Sequence, residues 1–152
     1  MEHFYNKEYL DCKNNKQNLN IQNIIKYFCF IKPESLYVDY RYFKILTKHI
    51  DIQKNTELIN IYYNKIIFNI EELLKTNTFI FIHVNIEKFS LTDFDKYSDL
   101  FTRLSNLFLE RYPDILNKLY VYGSGIIFDK LIKMFSMILT KETRKKMILI
   151  DG

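Results

Sequence analysis

Residues 111–150 read Arg-Tyr-Pro-Asp-Ile-Leu-Asn-Lys-Leu-Tyr-Val-Tyr-Gly-Ser-Gly, then Ile-Ile-Phe-Asp-Lys-Leu-Ile-Lys-Met-Phe-Ser-Met-Ile-Leu-Thr-Lys-Glu-Thr-Arg-Lys-Lys-Met-Ile-Leu-Ile. Pro113 has no N–H to donate and restricts Tyr112, so a helix must end there. Leu119–Tyr122 is a short apolar strand, and Gly123-Ser124-Gly125 is a tight turn. Ile126–Leu139 has helical spacing but is apolar around most of its circumference; Asp129, Lys130, Lys133 and Ser136 form its only polar stripe. Thr140 is placed to cap one further short turn, and Met147–Ile150 has the composition of a buried strand. Strand, apolar helix, basic turn and strand make one α/β unit with an unusual lid.

Toward the amino terminus the same alternation continues. Asp93–Arg111 repeats Phe94, Tyr97, Phe101, Leu104 and Phe108 at helical spacing, with Thr92 as its expected N-cap. Phe79–Val84 is a continuous apolar run of strand length, which suits a central strand. Thr56–Lys75 predicts a helix with Ile59, Tyr63, Ile66, Ile70 and Leu73 as its stripe. Leu36–Ile45 alternates, with Leu36, Val38, Tyr40 and Tyr42 to one side, and predicts a half-buried strand or hairpin. Leu19–Ile31 has helical spacing, Asp11–Asn18 reads as loop, and Met1–Leu10 as a short amphipathic helix. The chain therefore divides into a helical segment, 1–35, and an α/β domain, 36–152, whose sheet is mainly parallel with right-handed crossovers.

Composition bounds what such a chain can do. With 152 residues, 48% of them hydrophobic and 16% aromatic, it can bury a core without metals or disulfides. A net charge of +4 with no arginine-rich stripe gives no footprint for nucleic acid. Cys12 and Cys29 lack metal or disulfide spacing, and His3, His49 and His83 are scattered. Met1–Leu10 is too polar for a signal peptide, and no apolar run reaches the length of a membrane span. A cytoplasmic protein is expected. Gly123-Ser124-Gly125 is not the G-x-S-x-G nucleophile elbow; it reads as a simple turn or, less simply, as a phosphate cradle at a helix N-terminus. No catalytic constellation is visible.

The order of parts resembles the CRAL-TRIO domain, the lipid-binding fold of the yeast-type phosphatidylinositol/phosphatidylcholine transfer proteins. Tyr112-Pro113-Asp114, Lys118, Phe128, Phe135, Leu139 and Lys145-Lys146 fall on the family's run of Tyr-Pro-Glu, basic residue, strand, gate helix and basic turn. The match needs no gap from about Phe79 to Ile150. The resemblance implies a mainly parallel or mixed sheet flanked by helices, with an apolar gate helix over a hydrophobic cavity. It implies a gate carrying Phe128, Leu131, Ile132, Met134, Phe135 and Ile138, and a cavity lined by Ile80, Ile82, Val84, Tyr120 and Tyr122. Asp114 and Lys146 fall on headgroup positions, and Lys141, Arg144 and Lys145 on a basic, membrane-facing turn.

No cofactor other than a bound lipid is implied, and no enzymatic activity. The expected partners are a phospholipid, a membrane touched transiently and peripherally, and a homodimer covering the lid. The excess of Phe, Ile and Tyr in Ile126–Leu139 and Leu19–Ile31 supplies the expected dimer contacts. An alternative is a CRAL-TRIO-like scaffold that binds a small GTPase or another protein and carries no lipid; a third reading, an enzyme, needs a catalytic constellation that is not found. From pattern alone, the lid reads as a helix buried on most sides.

The sequence also departs from the family. Ile80 and Ile82 replace a Ser and a Thr that can hold a polar headgroup, Asn85 replaces an acid, and Gly125 and Met137 replace prolines. Lys88 replaces a glycine, so the turn after the central strand is expected to avoid positive φ. A few relatives bind haem through His and Tyr, but alternation turns His83 away from the face of Ile80, Ile82 and Val84.

Overall fold

The structure, a computed structural model, describes residues 3–14, 20–49, 56–134 and 140–150. Along the chain run α1 (Asn6–Asn14), α2 (Ile21–Phe28), β1 (Cys29–Lys32), β2 (Ser35–Asp39), α3 (Tyr40–His49), α4 (Thr56–Leu74), β3 (Ile80–Asn85), α5 (Leu91–Lys96), α6 (Ser98–Glu110), β4 (Leu116–Tyr122), α7 (Gly125–Met134), α8 (Lys141–Lys145) and β5 (Met147–Ile150). The five strands lie side by side in chain order. β1 and β2 form an antiparallel hairpin, and every later pairing is parallel. Each parallel step requires a crossover, and crossovers of one hand in a sheet of sequential order stack on one face. The core bears this out: Leu36, Ile80, Ile82 and Val121 on one sheet face share a single cluster with residues of α2, α3, α4, α6 and α7.

The long helices and the strands β3 and β5 form where the apolar periodicity places them. Five local expectations change. Residues 11–14, read as loop, continue α1 to Asn14. The helical pattern of 19–31 ends at Phe28, because Cys29 is already extended (φ −141°, ψ 120°) and β1 begins there. A strand ahead of residue 36 thus belongs to the same sheet as the rest. The alternation of 36–45 is only half a strand. At Asp39 the carboxylate accepts the Arg41 N–H at 3.1 Å, satisfying a first-turn donor and turning the chain into α3.

The helix expected over 93–111 is two helices broken at Tyr97 (φ −118°, ψ 24°), and its N-cap is Ser90 rather than Thr92. The Asp93 carboxylate reaches back to the Ser90 N–H at 3.1 Å. Lys88 does adopt positive φ (69°), against the expectation from its side chain. That conformation costs roughly 1–3 kcal/mol. It is held by the Lys44 ammonium donating to the Lys88 carbonyl at 2.6 Å and by the Asn85 carboxamide accepting the Glu87 N–H at 3.0 Å.

Candidate functional site

α7 and its surroundings carry the chemistry that the sequence singles out. The Ser124 carbonyl accepts the Phe128 N–H at 3.0 Å and the Ser124 hydroxyl accepts the Ile126 N–H at 3.2 Å, so the helix starts where the glycine turn ends. Gly123 is required by close approach: a Cβ there would sit 2.7 Å from the Ile86 side chain. Ile127, Phe128 and Leu131 pack half-buried against the main core, whereas Ile126 points out, 68% exposed. Ile132 is half-buried, and Asp129, Lys130 and Lys133 are exposed. Phe135 and Ile138 lie outside the described residues.

Two open clefts border this helix. One, of about 470 Å³, lies between α7 and α8 and is lined by Phe128, Asp129, Ile132, Lys133, Arg144 and Met147. The other, of about 320 Å³, lies at the carboxyl ends of β3 and β4, between Ile86–Phe89 and Gly123, Ser124 and Ile127.

The expected cavity walls do not come together. Ile80 and Ile82 are buried under the helices, 0% and 6% exposed, in a filled core. Tyr120 and Tyr122 stand on the opposite face of the sheet, because β4 registers Tyr120 with His83 and Tyr122 with Asn85. The β4 residues that share a face with Ile82 and Val84 are Leu119 and Val121. Alternation gave the parity within each strand; only register gave the face. The looser part of the helix-side wall is under α7, where Val84, Leu119, Met147 and Leu149 are half-buried.

Asp114 is exposed in the turn ahead of β4, and Lys146, half-buried, ends α8 with its carbonyl accepting the Leu119 N–H at 2.9 Å. Both therefore lie at the amino ends of neighbouring parallel strands. Lys141, Arg144 and Lys145 are exposed on α8, which Thr140 caps by accepting the Thr143 N–H at 3.1 Å, as the sequence predicts.

The face away from the helices holds an arrangement that no motif announces. Phe30, Tyr37, His83 and Tyr120 stack across four strands with centroid separations of 5.0, 4.5 and 4.8 Å. The separations match the strand spacing of about 4.8 Å, since rings on register neighbours stand side by side. Phe4 enters edge-on against Phe30, Tyr37 and Tyr122, and His3 lies over Tyr37 and His83. His83 Nδ1 is 2.7 Å from the Tyr122 hydroxyl.

Burial, with smaller contributions from His3 and Lys32, pushes the His83 pKa down to about 4. The neutral ring then accepts at Nδ1 from Tyr122, whose own pKa burial raises. Because the unfolded chain takes up this proton first, stability is full above about pH 6.5 and declines as pH falls from there toward 4. Allowing for partial exposure, the loss should be on the order of 1–2 kcal/mol. Urea midpoints at pH 7.5 and 4.5 read it: His83→Phe should flatten the difference, and an unchanged difference would assign it to other groups.

Cys29 is buried beside the Asn69 carboxamide, 3.2 Å from Sγ, and burial pushes its thiol up to about 12, which makes it a packing group and not a nucleophile. Among the described residues no three His, Cys, Asp or Glu side chains gather as metal ligands. No helix among them is long and apolar enough to cross a membrane.

The profile of the CRAL/TRIO domain matches residues 35–152. The chain belongs to the CRAL/TRIO family. That family is one of lipid-binding domains, and its matched span begins at β2 and takes in α7, the basic turn of α8 and β5. The crystal structure of Sfh5 superposes on this CRAL/TRIO chain with a TM-score of 0.66 at 12% identity, covering 95% of this chain and 56% of that one. The chain thus spans little more than half the length of that solved relative, and the likeness is one of fold. No curated protein sequence matches it.

Proposed function

We propose that this CRAL/TRIO chain binds a phospholipid or other lipid non-covalently and carries it between membranes, with α7 as the gate. The observation that carries the reading is the division of α7: Ile127, Phe128 and Leu131 turn inward beside an open cleft while Ile126 turns outward, 68% exposed. A gate needs apolar groups on both sides, one for the acyl chain when closed and one for the bilayer when open. Each buried CH₂ contributes about 0.8 kcal/mol, so release into water is unfavourable and exchange takes place against a membrane. Lys141, Arg144 and Lys145 supply peripheral attraction to anionic lipid, about 1 kcal/mol each near the surface. Asp114 and Lys146 are the proposed headgroup contacts. The buried isoleucines at 80 and 82 argue against a phosphatidylinositol site of the family type.

Those two isoleucines also favour a second reading. A filled core beneath the helices suits a scaffold that binds protein and carries no lipid. Native mass spectrometry of the purified chain with lipid extraction separates the two: a lipid adduct supports carriage, and an empty chain supports the scaffold. Ile126→Asp should leave the fold intact, because the side chain is largely solvated, and should lower vesicle-to-vesicle transfer by about tenfold, the worth of inserting one isoleucine. Unchanged transfer would remove α7 as the membrane-contacting gate.

A further inference from the structure

Among the described residues β5 is the outer strand of the sheet, paired with β4 alone. The Lys146 and Ile150 carbonyls accept the Leu119 and Gly123 N–H groups of the β4 side at 2.9 and 3.2 Å. Direction alternates along a strand, so Met147 and Leu149 turn both N–H and C=O outward. Natural edges are blunted by charge, proline, a bulge or a cover. The other edge of the sheet, β1, carries Lys32 and runs into Pro33. Met147-Ile148-Leu149-Ile150 holds no charge, proline or bulge, no cover lies over it among the described residues, and all four side chains are at least partly exposed.

We propose that β5 pairs antiparallel with β5 of a second copy, about a two-fold axis at Ile148, so that two five-stranded sheets become one. The register follows from the outward groups. A two-fold axis perpendicular to the sheet must set one residue opposite itself. Centred on Leu149 or Met147, it brings only one of the two outward residues opposite an outward residue within the strand. Centred on Ile148, it sets Met147 of each copy against Leu149 of the other, and both exchange N–H and C=O. Ile148 then faces its own copy at a non-bonded position, with Cα atoms about 4.5 Å apart.

The charges agree with this direction. α8 precedes β5, so antiparallel pairing places the two basic turns, with Lys141, Arg144 and Lys145, at opposite ends of the joined strands, where they do not repel closely. The same axis keeps the helices of both copies on one side and leaves the two stacked aromatic faces on the other. The expected dimer contact at 19–31 plays no part, since β1 is at the far edge.

Disulfide trapping reads the register directly. In a Cys12→Ser background, Ile148→Cys should cross-link two copies under mild oxidation, because its Cα separation lies within disulfide range. Leu149→Cys should not, since its copies are roughly 9 Å apart in this register. Leu149→Pro removes an outward N–H at an edge that tolerates proline, and should convert the dimer to a monomer with an unchanged circular dichroism spectrum. A monomer for the unaltered chain in sedimentation equilibrium at micromolar concentration would overturn the proposal, and so would equal cross-linking at positions 148 and 149. If Leu149→Pro fails to fold, the contrast between the two cysteine variants decides.

Discussion

Arg41→Ala is expected to cost about 3–5 kcal/mol of stability, the usual penalty for stranding a buried charge. Arg41 and Asp39 are 5% and 0% exposed. The guanidinium grips the carboxylate twice, Nε to Oδ1 at 3.0 Å and Nη2 to Oδ2 at 2.8 Å, and the Arg41 backbone N–H adds a third bond. The same Nη2 donates to the Asn6 side chain at 2.8 Å, the guanidinium lies 4.5 Å from the Tyr9 ring centre, and Glu87 comes within 4.0 Å of Nη1. One cation therefore joins the end of β2, the turn after β3, and α1.

Burial already raises the Asp39 pKa, and the Arg41 bonds hold it back. In the variant that restraint is gone, so the folded state binds the proton more tightly than the unfolded chain. Stability of Arg41→Ala should then recover as pH falls, opposite to the His83 trend. Urea denaturation across pH reads both effects. A loss under 1 kcal/mol, or no recovery in acid, would mean that water reaches Asp39 and solvates it.

Phe43→Ala is expected to cost a similar amount, about 3–5 kcal/mol, through a cavity rather than a charge. Phe43 is 2% exposed on α3 and touches Phe28, Tyr40, Tyr62 and Tyr97 with ring centroids 6.4, 5.4, 5.0 and 5.1 Å away. Those rings come from the end of α2, from α3 and α4, and from the break between α5 and α6. Rings of this size, held from four directions, cannot close over the void left by alanine. Phe43→Leu should cost distinctly less, because it refills most of the volume. Thermal unfolding of the two variants gives the comparison, and equal losses would point to edge-to-face ring geometry rather than volume.

The two sites are held more tightly than the surroundings of α7. Tight aromatic packing and the buried ion pair lie at the β1–β3 side of the sheet, with α1 to α4. Beneath α7 the apolar wall is only half-buried and bordered by clefts. Local stability follows local burial, so opening at α7 costs less than opening at the β1–β3 side.

Much of this was legible in residues 79–150 alone. A continuous apolar run makes β3, the proline and glycine punctuation brackets β4, Thr140 caps α8, and the Met-Ile-Leu-Ile run makes β5. Those signals are local: a missing N–H, a side-chain cap, a run of one polarity. Their order was enough to reach the CRAL/TRIO family. What remained hidden depends on residues far apart in the chain. The turn of 36–45 into a helix starts from a local bond, the Arg41 N–H to Asp39, but the ion pair behind it is held in place by Asn6 and Glu87 from distant elements. Lys88 holds positive φ because Lys44, on another element, binds its carbonyl. Tyr120 and Tyr122 face away from Ile82 because a one-residue change of register exchanges the faces of a strand, and pattern alone contains no register. Whether Ile80 and Ile82 line a cavity or fill a core is a matter of what the crossover helices bring down on them, and packing settled that where polarity, the same in both cases, could not.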